Sequence, residues 1–303
     1  MAGVIPFDQR DGVIWKDGKL VPWKDATTHV LTHGLHYGSC VFEGQRMYNG
    51  TIYKLKEHTE RLLASAETLG MKIPFTRVEI NQACIDVCKA NNIVDGYLRP
   101  VAFRGSEMMA VSAQTTTIHV AIATWAWPSY FSSTEKLKGI RLDIARYKRP
   151  SPETEPVHAK AAGLYMICTL CKHEAEAKGY ADAMFYDYRG YVSEATGANV
   201  FFIKDGEIHT PIPDCFLNGL TRQSVIRIAK ERQIKVIERH ILPEEMSRFS
   251  ECFLTGSAAE VTPVREIGPY TFTPGTLTEQ LMTAYADEVR GVVAPKVKLD
   301  SVI

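Results

Sequence analysis

The run Trp127-Pro128-Ser129-Tyr130-Phe131-Ser132-Ser133 has neither the alternation of a strand nor the spacing of a helix, and it separates two stretches of different pattern. The stretch before it begins as strands joined by tight turns. Val13-Ile14-Trp15 and Leu20-Val21 flank Asp17-Gly18, and Arg46-Met47-Tyr48 and Thr51-Ile52-Tyr53 flank Asn49-Gly50. Asn-Gly suits the positive φ angles of a type I′ turn, so each pair reads as a hairpin. A helix is expected near Lys56 to Leu69, with Leu62, Leu63, Ala66 and Leu69 on one side and Gly70 to end it. Ile80, Ala83, Cys84, Val87 and Cys88 mark the apolar face of a second helix, and strands are expected over Tyr97 to Phe103 and Thr115 to Trp125.

Beyond the break, strand signals at Ile140 to Arg146, Ala183 to Tyr188, Val200 to Ile203, Lys235 to Glu238 and Cys252 to Thr255 alternate with helices. Those helices are expected near Gly163 to Lys178 and Thr221 to Arg232, with one more near the C-terminus. Strands first and mixed elements afterwards imply two α/β or α+β domains with a cleft between them. The expected division is a small domain over 1–126, a linker over 127–136 and a larger domain over 137–303, and 303 residues suffice for both cores. Lys plus Arg (35) balance Asp plus Glu (35), so no positive field points to nucleic acid or to an anionic membrane. Apolar runs fall short of the roughly 18 residues that span a bilayer. Met1 to Gly12 lacks the basic start and apolar stretch of a signal peptide. Seven scattered cysteines argue against a secreted disulfide framework, and a cytoplasmic setting is expected.

Four local constellations bear on chemistry, and each admits an ordinary structural reading. Lys160 stands among small residues in His158-Ala159-Lys160-Ala161-Ala162-Gly163-Leu164-Tyr165, just ahead of a helix. There its amine can be desolvated into a nucleophile, or it can be a solvated surface lysine. Glu194 lies in Tyr191-Val192-Ser193-Glu194-Ala195-Thr196-Gly197-Ala198-Asn199, between two strands. Its carboxylate could hold a pyridine nitrogen protonated, or it could face solvent in a polar turn. Leu217-Asn218-Gly219-Leu220-Thr221-Arg222 precedes a helix, so Thr221 could cap it and its N–H groups could receive a phosphate. Thr255-Gly256-Ser257-Ala258-Ala259-Glu260 is a strand leading into a small-residue turn able to offer N–H groups to an anion.

The order of these four resembles the fold-type IV pyridoxal-phosphate enzymes. Thr32-His33-Gly34-Leu35-His36-Tyr37-Gly38-Ser39-Cys40-Val41-Phe42-Glu43-Gly44 and Tyr97-Leu98-Arg99-Pro100 sharpen the resemblance to the branched-chain aminotransferases, and it extends from about Val13 to Ile267. The resemblance implies pyridoxal 5′-phosphate as cofactor, bound in the cleft between the two domains and carried as a Schiff base on Lys160, which also shuttles the substrate's α-proton. Glu194 would pair with the pyridine nitrogen and Tyr165 with the phenolic oxygen. Arg61 would bind the phosphate with Leu220, Thr221 and Ser257. Tyr97 and the N–H groups of Ser257 and Ala258 would hold the substrate α-carboxylate. Phe42, Trp127, Tyr130 and Tyr165 would wall the side-chain pocket. Tyr37 and the loop around Val111 would reach across from a partner subunit, making a homodimer the minimum working unit.

The implied reaction is reversible amino transfer from leucine, isoleucine or valine to 2-oxoglutarate. An apolar pocket that must also take glutamate needs a cation for the γ-carboxylate, and Arg99 is the candidate. D-amino acid or R-amine transamination, or an aminodeoxychorismate lyase reaction, would use the same Lys160 and Glu194. The chain departs from the family where Ala161-Ala162-Gly163-Leu164 follows the lysine and where Ser257 replaces a common threonine. Cys168-Thr169-Leu170-Cys171 matches a redox or metal spacing but sits in an apolar helix, and His33 and His36 lack an evident third ligand. No metal is expected.

Overall fold

The structure, a computed structural model, describes residues 5–127 and 133–292. Tyr130 and half of the expected linker, 128–132, lie outside them. The described chain divides into two compact units: 5–127 together with Ala159–Gly163, and 133–158 together with 164–292. The short stretch carrying Lys160 therefore counts with the N-terminal unit, although the chain on either side of it belongs to the other.

The first unit is an antiparallel sheet of β1 (Val13–Lys16), β2 (Lys19–Pro22), β3 (Cys40–Phe42), β4 (Gln45–Tyr48), β5 (Thr51–Ile52), β6 (Gly96–Arg104) and β7 (Ile118–Ala126). Its order is β2-β1-β7-β6-β4-β5, and β3 also pairs with β6. Both hairpin turns form as their dipeptides require, with Asn49 at φ 48° and Gly50 at φ 80°. Three helices belong here: α1 (His33–Tyr37), α2 (Leu55–Thr68) and α3 (Arg77–Ala90). Leu62 and Ala66 of α2 are buried, as is the whole expected face of α3, Ile80, Ala83, Cys84, Val87 and Cys88. Cys88 hydrogen-bonds with Thr124, which fixes α3 on the sheet face that also carries Leu98 and Ile122. Strand alternation then turns Tyr97, Arg99 and Trp125 to the opposite face.

The second unit contains α4 (Ser133–Lys136), β8 (Ile140–Ile144), α5 (Met166–Ala177), β9 (Asp182–Tyr186), β10 (Val192–Ala195), β11 (Asn199–Lys204) and β12 (Glu207–Thr210). It continues with α6 (Leu220–Glu231), β13 (Val236–Glu238), β14 (Glu251–Gly256), β15 (Glu260–Ile267), β16 (Tyr270–Thr271) and α7 (Thr276–Val289). The strands run β10-β9-β8-β15-β14-β11, and pairing of β10 with β11 closes these six into a ring. Leu142, Met184, Ala195, Val200, Phe202, Cys252, Leu254 and Val264 come from all six strands and form one apolar cluster, which fills the ring. Outside it, Cys168, Cys171 and Ala175 of α5 pack on Ala183 and Phe185, and α6 and α7 cover β14. Among the described residues no helix is long and apolar enough to cross a membrane.

The strands β10, β12 and β15 are not apparent in the sequence reading. The expected helix at Gly163 opens as a 3₁₀ turn over Ala162–Tyr165 before α5 begins. The paired thiols of α5 are core. Burial pushes the Cys168 thiol up to about 12, against the lowering effect of Arg149 beside it. Both thiols are buried, so Cys168 and Cys171 should resist iodoacetamide at pH 8 in the native protein and react after denaturation; peptide mass mapping of the labelled sites checks this.

Candidate active site

In the first unit the backbone of Lys160 is pinned on both sides. Its N–H donates to Ser65 Oγ of α2 at 3.0 Å, its C=O accepts from the Phe42 N–H at 3.1 Å, and Val41 and Ala161 form a bridge beside it. Lys160 Nζ lies 4.9 Å from the centroid of the Phe42 ring, and Arg99 Cζ lies 4.8 Å from that same centroid. Arg99 Nη2 donates to Tyr97 Oη at 3.3 Å, and the Tyr97 ring packs on Trp127 at 5.5 Å. Phe42, Tyr97, Arg99, Trp127 and Lys160 are thus brought together, and no carboxylate pairs with Arg99 among the described residues. Tyr37 and Val111 stand apart, 46% and 83% exposed. They are linked through His33, which stacks on Tyr37 at 4.6 Å and bonds to the carbonyl of Ala110 at 2.8 Å.

Arg61 is held by a group that sequence reasoning missed. Glu43, with no exposed surface, accepts Arg61 Nε at 2.6 Å on Oε1 and Arg61 Nη2 at 2.9 Å on Oε2. This two-bond pair fixes the plane of the guanidinium. His58 lies 2.7 Å from Glu43 Oε2 through Nδ1 and donates to it, because an ionised carboxylate only accepts. Burial pushes the Glu43 carboxyl up, but Arg61 and His58 outweigh it and hold it well below the usual range. Burial pushes His58 below its ordinary 6.5 despite Glu43, and Arg61 and Lys160 act in the same direction as burial. A sequence signal existed: His58 and Arg61 are three residues apart on one face of α2.

In the second unit three chain segments converge. Glu194 lies inside β10 and is buried, so of its two readings the solvent-facing polar turn is the one the fold does not adopt. Arg149, also buried, places Nε 3.3 Å from Glu194 Oε1 as an ion pair, though its N–H is not aligned as a hydrogen bond. Asn199, the first residue of β11, donates through Nδ2 to Glu194 Oε2 at 3.2 Å and to the Leu217 carbonyl at 3.0 Å. Asn199 Oδ1 accepts the Gly219 N–H at 3.2 Å. Arg149 carries no local sequence signal, and Asn199 ends the Glu194 motif with no role evident from sequence.

Gly219 is the N-cap of α6 and has no side-chain cap, so Leu220 and Thr221 are the first two helical residues. Of the two readings open for Thr221, the cap is not realised: glycine takes that position, where a Cβ would overlap Asn199 Oδ1. The uncapped start leaves α6 with the N–H donors and the positive dipole end that bind anions. Asn199 pairs with Thr255 of β14, which brings the Ser257-Ala258 turn alongside, and Tyr165 is near enough to Arg149 to raise its pKa.

The model of the amino-transferase class IV family matches residues 40–267. A branched-chain-amino-acid aminotransferase of Pseudomonas aeruginosa is 44% identical over 289 residues, 93% of this chain and 94% of that protein. This chain belongs to the class IV aminotransferases. A branched-chain-amino-acid aminotransferase of Escherichia coli K12 is 37% identical over 84% of each chain. The crystal structure of the branched-chain amino acid aminotransferase from Thermobaculum terrenum, in its pyridoxal-phosphate form, superposes with a TM-score of 0.85 at 31% identity, covering 93% of this chain and 94% of that one. The fold-type IV class and the pyridoxal-phosphate dependence expected from the sequence both hold. The second unit fits that cofactor: a buried carboxylate, ion-paired at one oxygen and hydrogen-bonded at the other, suits a protonated ring nitrogen, and the uncapped α6 start suits a phosphate. Among the described residues Asp187, Asp214 and Cys215 have metal-ligand proximity, but Arg189 already occupies both carboxylates.

The buried Glu43–His58–Arg61 set has a pH signature. Glu43 and His58 both have folded pKa values below their unfolded ones, so their contribution to stability is present above those unfolded values and is lost as pH falls. His58 begins to lose its share below pH 6.5. Replacing it with non-titrating Asn, His58→Asn, should flatten the fall of melting temperature with acidification just below pH 6.5; an unchanged slope by calorimetry would contradict the assignment.

Proposed function

We propose that this enzyme transfers the amino group of L-leucine, L-isoleucine and L-valine to 2-oxoglutarate, with pyridoxal phosphate carried on Lys160. The observation that carries this reading is the single Phe42 ring flanked by the Lys160 amine and the Arg99 guanidinium. One amine, one apolar wall and one cation serve a site that takes aliphatic and acidic substrates in turn. The names of the relatives at 37–44% identity support it.

When bound, pyridoxal phosphate supplies a protonated pyridine ring that takes up the electron pair left by the departing α-proton. Lys160 Nζ takes that proton from the substrate α-carbon and returns it on the other side of the exchange. Glu194 would accept the ring N–H, its carboxylate flanked by Arg149 and Asn199. Tyr165 donates to the phenolic oxygen. Arg61, the Leu220 and Thr221 N–H groups and Ser257 bind the phosphate. Tyr97 and the turn at Ser257-Ala258 would hold the α-carboxylate, and Phe42, Trp127 and Tyr165 would wall the aliphatic side chain. Arg99 pairs with the γ-carboxylate of glutamate.

We read the working form as a homodimer or a higher oligomer in the cytoplasm. Val30, Leu35, Tyr37, Met109 and Val111 are exposed apolar residues in two segments joined by His33, a surface suited to a second copy in which Tyr37 and Val111 complete the partner's pocket. The division into a small N-terminal domain over 1–126, a linker over 127–136 and a larger cofactor domain over 137–303 is part of the same reading.

Two variants test it. Borohydride reduction of the wild type should place a phosphopyridoxyl group on Lys160 by peptide mapping, and Lys160→Ala should fold yet lose activity by several orders of magnitude; retained turnover would refute the role. Arg99→Met removes the partner of a γ-carboxylate while keeping apolar volume. Breaking such a pair when buried costs about 3–5 kcal/mol, so kcat/KM for glutamate should fall by about a hundredfold or more. The leucine half-reaction should change by less than about tenfold. Stopped-flow measurement of each half-reaction decides, and equal losses would exclude the carboxylate role.

A further inference from the structure

Every polar atom of the Asn199 side chain is engaged, and its bonds go to two different functional segments. Nδ2 donates to the Leu217 carbonyl and to Glu194 Oε2, and Oδ1 accepts the Gly219 N–H. The residue is 5% exposed, so each of these bonds is made away from bulk water and is costly to leave unmade. Two of them bracket 217–219 and would be explained by loop structure alone. The third is not: it reaches across the closing pair of the ring, Glu194 opposite Asn199, to a carboxylate that Arg149 approaches from its other oxygen.

Asparagine alone suits this position. Aspartate has the same shape but no donor, and it would set a second carboxylate against Glu194. Serine is too short to reach both segments, and a glycine at 219 is required because Asn199 Oδ1 occupies the space of a Cβ. Relaxing the bond to Glu194 therefore also relaxes the bond that seats the first turn of α6.

We propose that Asn199 is a positioning residue that couples the Glu194 carboxylate to the Gly219–Thr221 helix start, so that the groups receiving the cofactor's ring nitrogen and its phosphate are held at one fixed spacing. This rests on the assignment of Glu194 and Thr221 to that cofactor. The role predicts that Asn199 acts through Glu194 and not through the fold at large.

A double-mutant cycle on cofactor affinity tests it. Wild type, Asn199→Asp, Glu194→Gln and the double variant are each freed of cofactor and titrated with pyridoxal phosphate by protein fluorescence. Asn199→Asp should weaken binding by about tenfold or more when Glu194 is intact and by less than about threefold in the Glu194→Gln background, where an amide can donate to the new carboxylate. The pH at which the bound cofactor's visible band titrates should move in Asn199→Asp and stay unmoved by that change in the Glu194→Gln background. Should Asn199→Asp not fold, Asn199→Ser carries the same comparison across both backgrounds. Equal losses in the two backgrounds, or affinity within twofold of wild type, would overturn the coupling while leaving the cofactor assignment intact. A wild type that takes up no pyridoxal phosphate would overturn the assignment and this inference with it.

Discussion

The second unit depends on one backbone pairing. Glu194 of β10 lies opposite Asn199 of β11, and that pair closes six strands into a ring around a single apolar cluster. A closed sheet has no free edge there, so the seam cannot slide by a residue without turning every side chain of β10 to the wrong face. The same seam exposes a carboxylate to two donors. A buried charge is tolerable only when paired, and Arg149 and Asn199 supply that pairing from the neighbouring chain. Closure of the core and orientation of Glu194 are therefore one event in folding, and a change at the seam acts on both.

The first unit solves a similar problem with a helix and a strand end. Glu43 follows β3 directly and is wholly buried, where an isolated carboxylate would cost several kcal/mol, about what a buried ion loses in leaving water. Arg61 and His58 come from successive turns of α2, so the helix can dock on β3 only in the register that satisfies Glu43. Ser65, one turn further along α2, takes the Lys160 N–H, and Phe42 takes its carbonyl. The lysine is thus located by the same helix–strand contact that locates Arg61.

Much of this was legible in the sequence wherever the determinant is local. Asn49-Gly50 makes a hairpin because both residues accept positive φ, and the α3 face is buried residue for residue as its spacing implies. What escaped is long-range. β15 gains part of its strand character from β8, far back along the chain, while β10, held by its neighbours β9 and β11, is at four residues too short to show alternation, so Val192–Ala195 reads as part of a loop. The placement of Thr221 at the cap followed residue preference, and the actual cap, Gly219, is chosen by the bulk of Asn199 at a distance in sequence. Arg149 is visible as the partner of Glu194 only once the chain has folded, because an ion pair between distant segments leaves no periodicity to read.

If Arg99 receives the γ-carboxylate as proposed, its aromatic setting bears on the problem of two dissimilar substrates. A guanidinium in an apolar wall ordinarily needs a counter-ion, and a resident carboxylate would compete with the substrate's own. Arg99 instead rests 4.8 Å from the Phe42 ring centroid and 5.5 Å from that of Tyr97. Ring faces stabilise a weakly hydrated planar cation by roughly 0.5–2 kcal/mol each without satisfying it as a carboxylate would. Such a cation can bind a γ-carboxylate strongly when one arrives, and its stacked carbon and nitrogen plane offers an aliphatic chain a flat surface when none does. Under the proposed role, selectivity for both substrate classes therefore comes from the absence, among the described residues, of a fixed acidic partner for Arg99 as much as from the charge it carries.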